Sequence, residues 1–176
     1  NTGPEGDIDQ WLDQLASDVQ DMTRAHKAPI TLVGWSLGGI YAREVAKRLP
    51  QRVRQVITIG SPFAGTPDHT HARWIYRLFN GKKPPFTQSL AKRLATAPQV
   101  PTTSIFSRTD GIVPWQACIQ EGGDRHCENI EVTGSHCGLG WNTEVFRVVA
   151  DRLRHKPGEL KRRNGGQIQQ RGLVHA

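Results

Sequence analysis

Apolar residues in the first part of the chain recur at helical spacing. They stand three or four residues apart at Ile8, Trp11, Leu12, Leu15, Val19 and Met22. This period predicts an amphipathic helix of about five turns with one buried stripe. The same spacing predicts helices over 37–49, ended by Pro50, and over 87–96. A last helix is predicted to begin at Asn142 or Thr143, with its inward face formed by Val145, Phe146, Val149 and Leu153.

Between these helices the apolar residues form short, β-branched runs. The runs cover 30–33, 53–59, 102–107 and 129–132. The 30–33 run is too short for a helix and β-branched enough for a buried strand, and the other three runs are also predicted to be strands. Because strands and helices alternate, we predict an α/β fold with a parallel sheet. Ligands bind beyond the carboxyl ends of such strands, and these runs are followed by Ser36, Gly60-Ser61, Asp110 and His136.

The length of 176 residues is enough for one domain with its own core. We place that domain at residues 1–154, with a cap or lid insertion at about 61–101. Within the insertion, a short amphipathic piece contains Trp74, Ile75, Leu78 and Phe79. It is either a small packed cap or a lid that binds an acyl chain. Residues 155–176 are rich in Gly, Gln and Arg and are predicted to be a disordered tail.

The net charge of +7 raises the question of nucleic-acid binding. Residues 151–176 hold seven Lys or Arg against two acidic residues, which accounts for five of these charges. The remainder of the chain is close to neutral, so we interpret the tail as a solvated segment and expect no nucleic-acid partner. No apolar stretch approaches the roughly 18 residues of a membrane span. The sequence does not indicate an oligomeric state.

Three cysteines, Cys118, Cys127 and Cys137, are too few for a disulfide scaffold. A Cys118–Cys127 disulfide and three reduced thiols both fit, so the redox compartment stays open. No signal peptide precedes the first helix, which favours the cytoplasm, although the chain begins abruptly. His69 and His71 follow Asp68, but scattered histidines in an insertion are more typical of a polar surface, and we expect no metal site.

The segment Gly34-Trp35-Ser36-Leu37-Gly38 joins a predicted strand to a predicted helix. A serine hydroxyl is a weak nucleophile that needs a base and a rigid position. A sharp turn between strand and helix raises such a serine above the sheet, and we expect it to require Gly34 and Gly38 because side chains there would collide. The helix beginning at this point would direct the backbone N–H of Leu37 at a reacting oxygen.

An acid and a histidine follow Ser36 along the chain, in the order serine, acid, histidine. Asp110 comes 74 residues after Ser36, and His136 comes 26 residues after Asp110. Each stands just past a predicted strand, so the turn predicts a Ser36–Asp110–His136 triad. His126 is the competing histidine, but it precedes its strand and would lie at the other end of the sheet. Cys137 is a rival nucleophile that has no base of its own.

With these residues in place, the chain resembles a lipase- or esterase-like member of the α/β-hydrolase superfamily. The matching stretches are VGWSLGGIYAREVA, VITIGSPFAGTP, SRTDGIVPW and ENIEVTGSHCGLGWN. The resemblance implies hydrolysis of a small-molecule or lipid carboxylic ester through an acyl-serine. It implies no diffusible cofactor, and it gives the catalytic roles to Ser36, Asp110 and His136.

One departure from the superfamily pattern leads to further expectations. Members of the superfamily begin with strands that precede anything visible here, and a loop after one of them supplies a second oxyanion N–H. Either native residues precede Asn1, or the chain is a truncated product that need not be active. Without such residues, strand 30–33 is expected to lie at an open sheet edge. An acyltransferase with the same triad, or a catalytically silent binding module that kept the fold, are the alternative functions.

Overall fold

The computed structural model describes residues 8–64, 88–121 and 126–154. Its helices are α1 (Ile8–His26), α2 (Leu37–Arg48), α3 (Gln88–Ala95) and α4 (Thr143–Arg154). Its strands are β1 (Ile30–Trp35), β2 (Val53–Ile59), β3 (Thr102–Phe106) and β4 (Cys127–Glu131). Short 3₁₀ helices cover Trp115–Cys118 and Gly138–Trp141. The strands and the helices over 37–49 and 87–96 begin and end within two residues of their predicted bounds.

The four strands form one sheet in the order β1-β2-β3-β4, and every neighbouring pair is parallel. The predicted parallel α/β architecture is therefore confirmed. In the register, Ile59 pairs with Trp35 on one side and with Ile105 on the other. The carboxyl ends of the strands consequently lie at one edge of the sheet, and the loops that follow them meet there.

Helices cover both faces of the sheet because its strands are apolar on both sides. On one face, α1 and α2 pack against β1 and β2 in a cluster that includes Leu12, Val45 and Val56. On the other face, α4 and the 3₁₀ helix before it pack against β2 and β3 in a cluster that includes Ile57, Ile105, Leu139, Val145 and Val148. The middle strands are thus fully buried, which gives the loops at the sheet edge a rigid base.

The predicted buried stripe of α1 is correct in its middle and wrong at its end. Leu12 and Val19 are buried, and Trp11 and Leu15 pack partly against them. Met22 is exposed, and Thr23 is buried instead, with its hydroxyl donating to the carbonyl of Gln20. A hydroxyl that bonds to its own helix can be buried at little cost, which the apolar pattern does not reveal.

The predicted inward face of α4 needs a similar correction. Val145 is buried as expected, but Phe146 and Leu153 are exposed. Val148 and Arg152 are buried in their place. The stripe keeps its helical period, but one position on it is occupied by a charged residue whose partner lies on β4. The helix begins as predicted, because the Asn142 side chain accepts hydrogen bonds from the N–H groups of Glu144 and Val145.

As predicted, β1 is an edge strand of the described sheet. Val33 and Trp35 on it are about half exposed. Within the predicted insertion, α3 is described and is tied to α2 by Lys47, which donates to the carbonyl of Arg93 at 2.6 Å. The amphipathic piece around Trp74 and the tail lie outside the described residues. No helix in the described segments is long and apolar enough to cross a membrane.

Candidate active site

Ser36 occupies a strained turn between β1 and α2. Its backbone has φ 53° and ψ −123°, a combination that residues other than glycine rarely adopt. The turn is held by two hydrogen bonds, from Ser36 N–H to the carbonyl of Ile59 (2.8 Å) and from Gly39 N–H to the carbonyl of Ser36 (3.1 Å). The anchoring strand is β2, in the middle of the sheet, so the serine is fixed to the most rigid part of the molecule.

Close packing at this turn explains one of the two predicted glycines and corrects the other. A Cβ at Gly34 would overlap the backbone of Gly38 and Gly39, so no larger residue fits there. A Cβ at Gly38 meets no heavy atom of the described residues within 4 Å, so the expected collision does not occur. The second glycine that close packing requires is Gly39, since its Cβ would overlap the side chain of Ser61.

The three residues predicted to form the triad are brought together at the carboxyl edge of the sheet. His136 Nε2 lies 3.0 Å from Ser36 Oγ, and His136 Nδ1 lies 2.8 Å from Asp110 Oδ2. All three are buried, with exposed fractions of 8% for Ser36, 4% for Asp110 and 5% for His136. This network assigns the proton to Nδ1 and leaves Nε2 to accept the serine proton.

Asp110 is a buried carboxylate with every oxygen engaged. Its Oδ1 accepts from the backbone N–H groups of Ile112 (3.0 Å) and Val113 (2.6 Å), and its Oδ2 faces His136. Burial by itself would raise the pKa of Asp110, but the hydrogen bonds from His136, Val113 and Ile112 outweigh burial and hold this pKa below its ordinary value. The acid is therefore ionised at neutral pH and can orient an imidazole and stabilise its cation.

Comparison with known proteins agrees with this arrangement. The family model of palmitoyl protein thioesterase matches residues 4–113, which is more than half of the chain. The chain belongs to the palmitoyl protein thioesterase family. The matched part of this family member includes Ser36 and Asp110 and ends before His136. The predicted resemblance to lipase- and esterase-like α/β-hydrolases is thereby confirmed.

Two curated relatives match shorter parts of the chain. It is 35% identical over 57 residues to a pimeloyl-[acyl-carrier protein] methyl ester esterase of Shewanella woodyi, which covers 32% of the chain and 20% of that protein. It is 34% identical over 73 residues to the enzyme of the same name from Aromatoleum aromaticum, covering 40% of the chain and 26% of that protein. The matches thus span about a quarter or less of these curated relatives.

Two solved lipases have the same fold. Lipase B of Aspergillus fumigatus superposes with a TM-score of 0.64 at 20% identity, covering 84% of this chain and 42% of that one. A lipase of Bacillus licheniformis superposes with a TM-score of 0.65 at 16% identity, covering 87% and 77%. The fold of this palmitoyl protein thioesterase family member is therefore the α/β-hydrolase fold.

The loops that carry Asp110 and His136 are tied to each other by groups that the sequence did not single out. Ser107 Oγ accepts hydrogen bonds from the N–H groups of Thr109 (3.1 Å) and Gly134 (3.1 Å). The backbone N–H of His136 donates to the carbonyl of Asp110 at 2.8 Å. Serine and threonine after a strand are a common turn signal, so only the contact across 27 residues shows that Ser107 joins the two loops.

Gly60 was predicted to lie at the ligand-binding edge of the sheet, but the sequence assigned it no role. It has φ 54°, and a Cβ there would lie 3.3 Å from both Asp110 Oδ2 and His136 Nδ1 and 3.0 Å from Leu139 Cδ1. Its missing side chain leaves room for the acid and the imidazole to pass over the end of β2. A glycine directly after a buried strand is the signal that could have identified it.

Leu37 is the first residue of α2, as the predicted oxyanion role requires. Its N–H is among the first four of the helix, which have no acceptor within the helix. This group lies next to Ser36 in the chain and at the positive end of the helix dipole.

The competing candidates lie apart from this arrangement or outside the described residues. His126 precedes β4, and its carbonyl accepts from Thr102 at the start of β3, so it lies at the opposite edge of the sheet. Cys137 is exposed, and Cys118 is buried, with its pKa raised by burial and by nearby Asp110. No disulfide joins Cys118 to Cys127 in the structure. Asp68, His69 and His71 are not among the described residues.

Proposed function

We propose that this chain is a serine hydrolase that cleaves carboxylic esters through an acyl-serine intermediate. The observation that carries the proposal is the buried, hydrogen-bonded series Ser36 Oγ–His136 Nε2 and His136 Nδ1–Asp110 Oδ2 at 3.0 and 2.8 Å. Support also comes from the relatives, which are esterases and lipases by description. The chemistry follows from the geometry of these atoms.

In the first step, His136 Nε2 takes the hydroxyl proton of Ser36 while Oγ bonds to the carbonyl carbon of the ester. The carbonyl oxygen becomes an anion, and the backbone N–H of Leu37 is the donor that we assign to it. As the tetrahedral carbon collapses, the bond to the alcohol oxygen breaks and that oxygen takes the proton from Nε2. Acyl-Ser36 remains, and a water molecule activated by His136 releases the acid along the same path.

Asp110 acts without touching the substrate in this scheme. Its lowered pKa keeps it ionised beside the imidazolium that forms in both steps. Its two backbone donors fix the carboxylate, and through it the Nδ1–H tautomer of His136. The charge that appears on the imidazole during catalysis is thus matched in advance by a fixed opposite charge.

The membership in a thioesterase family supports thioesters as a second class of substrate. The same attack by Ser36 opens a thioester, since only the leaving atom differs. An oxygen ester and a thioester of the same acyl chain, compared by kcat/KM, separate the two classes. A ratio above about tenfold in either direction would assign the preference, since this corresponds to roughly 1.4 kcal/mol in the transition state.

Covalent labelling tests the proposal directly. We expect a fluorophosphonate to add one phosphonyl group to the chain, located at Ser36 by peptide mass mapping. Ser36→Ala should remove the label and lower turnover of a p-nitrophenyl ester by on the order of 10⁴–10⁶, because the whole relay is lost with its nucleophile. Ser17→Ala, which changes an exposed serine of α1, is the matched control and should label fully.

Three outcomes would contradict the proposal. A label that persists in Ser36→Ala would place the nucleophile elsewhere. A folded chain that takes no label would instead be the catalytically silent binding module. Transfer of the acyl group to an added alcohol in preference to water would favour the acyltransferase.

A further inference from the structure

His136 has to reach a long way across the sheet to meet Ser36. Ser36 follows β1, whereas His136 follows β4, three strands away in the sheet order. Neighbouring strands lie about 4.8 Å apart, so the loop after β4 spans roughly 14 Å over the ends of β3 and β2. A loop that extends so far needs anchors along its length, or its end will move and catalytic geometry will be lost.

The first anchors hold the loop to the end of β3. Gly134 N–H donates to Ser107 Oγ, and the backbone N–H of His136 donates to the carbonyl of Asp110. Both contacts lie on the side of the loop nearer to β4. They leave the far end, where the imidazole meets Ser36, to be held by something on β1.

Trp35 supplies a contact at that far end. Its indole Nε1–H donates to the carbonyl of His136 at 3.2 Å, across 101 residues of chain. Its ring lies 5.4 Å from the imidazole ring, centroid to centroid, with the planes inclined by 31°. The indole therefore touches both the backbone and the ring of His136.

The position of Trp35 in the chain makes this contact rigid. It is the last residue of β1 and directly precedes Ser36, whose backbone is fixed by its bond to Ile59. The indole is nonetheless 45% exposed, between buried Gly34 and buried Ser36. Within the part of the chain that the structure describes, the indole is therefore held by its two contacts with His136 and not by burial in a core.

We propose that Trp35 is a positioning residue that fixes His136 over Ser36 from the β1 side. Its catalytic consequence rests on the proposed function, but its structural consequence does not. Asp110 holds the N–H of His136 and one ring nitrogen, and Trp35 holds the carbonyl and one ring face. The imidazole is thereby held from the strand ends on both sides of β2.

Two variants separate the N–H from the ring. Trp35→Phe keeps an aromatic ring and removes the donor, and Trp35→Leu removes both. We expect the rate constant for labelling of Ser36 by a fluorophosphonate to fall about 3- to 10-fold in Trp35→Phe, as for one lost hydrogen bond. In Trp35→Leu we expect a fall of roughly 10- to 100-fold. Trp141→Phe, an exposed tryptophan five residues after His136, is the control and should keep the parental rate.

A second readout does not depend on activity. The Nδ1 proton shared by His136 and Asp110 should give a low-field proton resonance, assigned by its loss in His136→Ala. We expect it to broaden in both Trp35 variants, because a less restrained imidazole exchanges its proton with water faster. Turnover of a p-nitrophenyl ester should show a lower kcat with KM changed by less than threefold.

Three results would overturn the proposal. One is a sharp resonance in both variants together with labelling at the parental rate. Another is a raised KM with unchanged kcat, which would make Trp35 a substrate contact. If the parent chain takes no label, the proposed function fails, and an unchanged resonance in the variants would then reject the positioning role by itself.

Discussion

Two buried clusters of ionisable side chains are built from similar parts but differ in what they leave available. At the carboxyl edge of the sheet, Asp110 and His136 form a hydrogen-bonded pair that ends at Ser36 Oγ. Between β4 and α4, Arg152 donates to both oxygens of Glu128, one of them at 2.9 Å, and also to Asp151. The first cluster is hereafter the relay and the second the α4 clamp.

The α4 clamp is closed. Each side-chain nitrogen of Arg152 has an acceptor, and Glu128 also accepts from the hydroxyl of Thr103 at 2.7 Å. Arg152 is only 2% exposed. The three nitrogens of Arg152 and both oxygens of Glu128 are thus engaged within the set, so the clamp fixes α4 against the sheet.

The relay is open at one end. Its acid is satisfied by two backbone donors and its imidazole by that acid, but the lone pairs of Ser36 Oγ remain free to attack a carbon atom. Burial and pairing therefore do not by themselves indicate a catalytic group. What marks the relay is a series of hydrogen bonds that ends at the Ser36 hydroxyl, which is held at a strained turn.

Asp110 and His136 of the relay should act as one unit, and this gives the largest change in rate. Asp110→Asn and His136→Ala should each lower the rate of ester turnover by about 10⁴, because each removes the base or its orientation. The double variant should be little slower than the slower single variant, since residues that act as one unit are not additive. Steady-state kinetics of the three variants provide the check. Losses that multiply would show that Asp110 and His136 act separately.

The clamp should respond in stability and not in chemistry. Arg152→Met leaves the Glu128 carboxylate without its partner, and we expect the free energy of unfolding to fall by about 3–5 kcal/mol. Arg152→Met combined with Glu128→Leu should recover most of this loss, because the carboxylate that remains, Asp151, is half exposed to solvent. Chemical denaturation measures both. The labelling rate constant of Ser36 in the folded variants should stay at its parental value.

Arg24→Met is the matched control for the clamp. The Arg24–Asp21 pair lies on the surface, with both side chains about two thirds exposed. Breaking it should change the free energy of unfolding by less than about 1 kcal/mol. A loss as large as that of Arg152→Met would mean that burial does not set the difference between the two pairs.

A smaller effect tests how tightly the turn under the relay is packed. Gly39→Ala forces a methyl group against Ser61, and we expect a loss of about 1–3 kcal/mol in the free energy of unfolding. Gly38→Ala meets open space on the described residues and should be neutral or stabilise the helix by up to about 1 kcal/mol. Thermal unfolding of the two variants decides. Equal losses would restore the original expectation for Gly38.

The relay should also make the free energy of unfolding depend weakly on pH. Because the folded pKa of Asp110 lies below its ordinary value of about 4, its ionised form stabilises the fold above that pH. This contribution is lost as the pH falls through the lower, folded pKa. The stability difference between the parent and Asp110→Asn should therefore shrink from pH 6 to pH 3, as measured by denaturation. Ser17→Ala changes no ionisable group at an exposed position of α1, so its stability difference from the parent should not depend on pH.

The clamp also shows why parts of the fold could not be predicted from the sequence. Strand β2 was predicted with its true bounds, because its apolar run is buried on both faces. Strand β4 was predicted two residues late, since Cys127 and Glu128 do not look like buried strand residues. Phe146 and Leu153 were assigned to the inward face of α4 because Arg152, which is charged, does not look like a buried residue. Both errors come from one long-range pair, in which Glu128 makes Arg152 acceptable in the interior.

The candidate site was predicted better than its surroundings. Ser36, Asp110 and His136 each follow a strand, and the carboxyl ends of parallel strands meet at one edge whatever the loops do. Gly39, Gly60, Ser107 and Trp35 were missed because their contacts cross 22 to 101 residues of chain. A residue that supports another by such a contact has no local pattern to reveal it.

The order of the strands has a consequence for how the chain folds. The three groups of the relay come from the ends of three parallel strands, and their contacts join residues 26 and 100 positions apart. Such non-local pairings form slowly, because long loops must close before they are stabilised. On a growing or partly folded chain, Ser36 is an ordinary alcohol with no base nearby. Under the proposed function, Ser36 would therefore become reactive only when the sheet is complete, and the chain would not act on other molecules before it has folded.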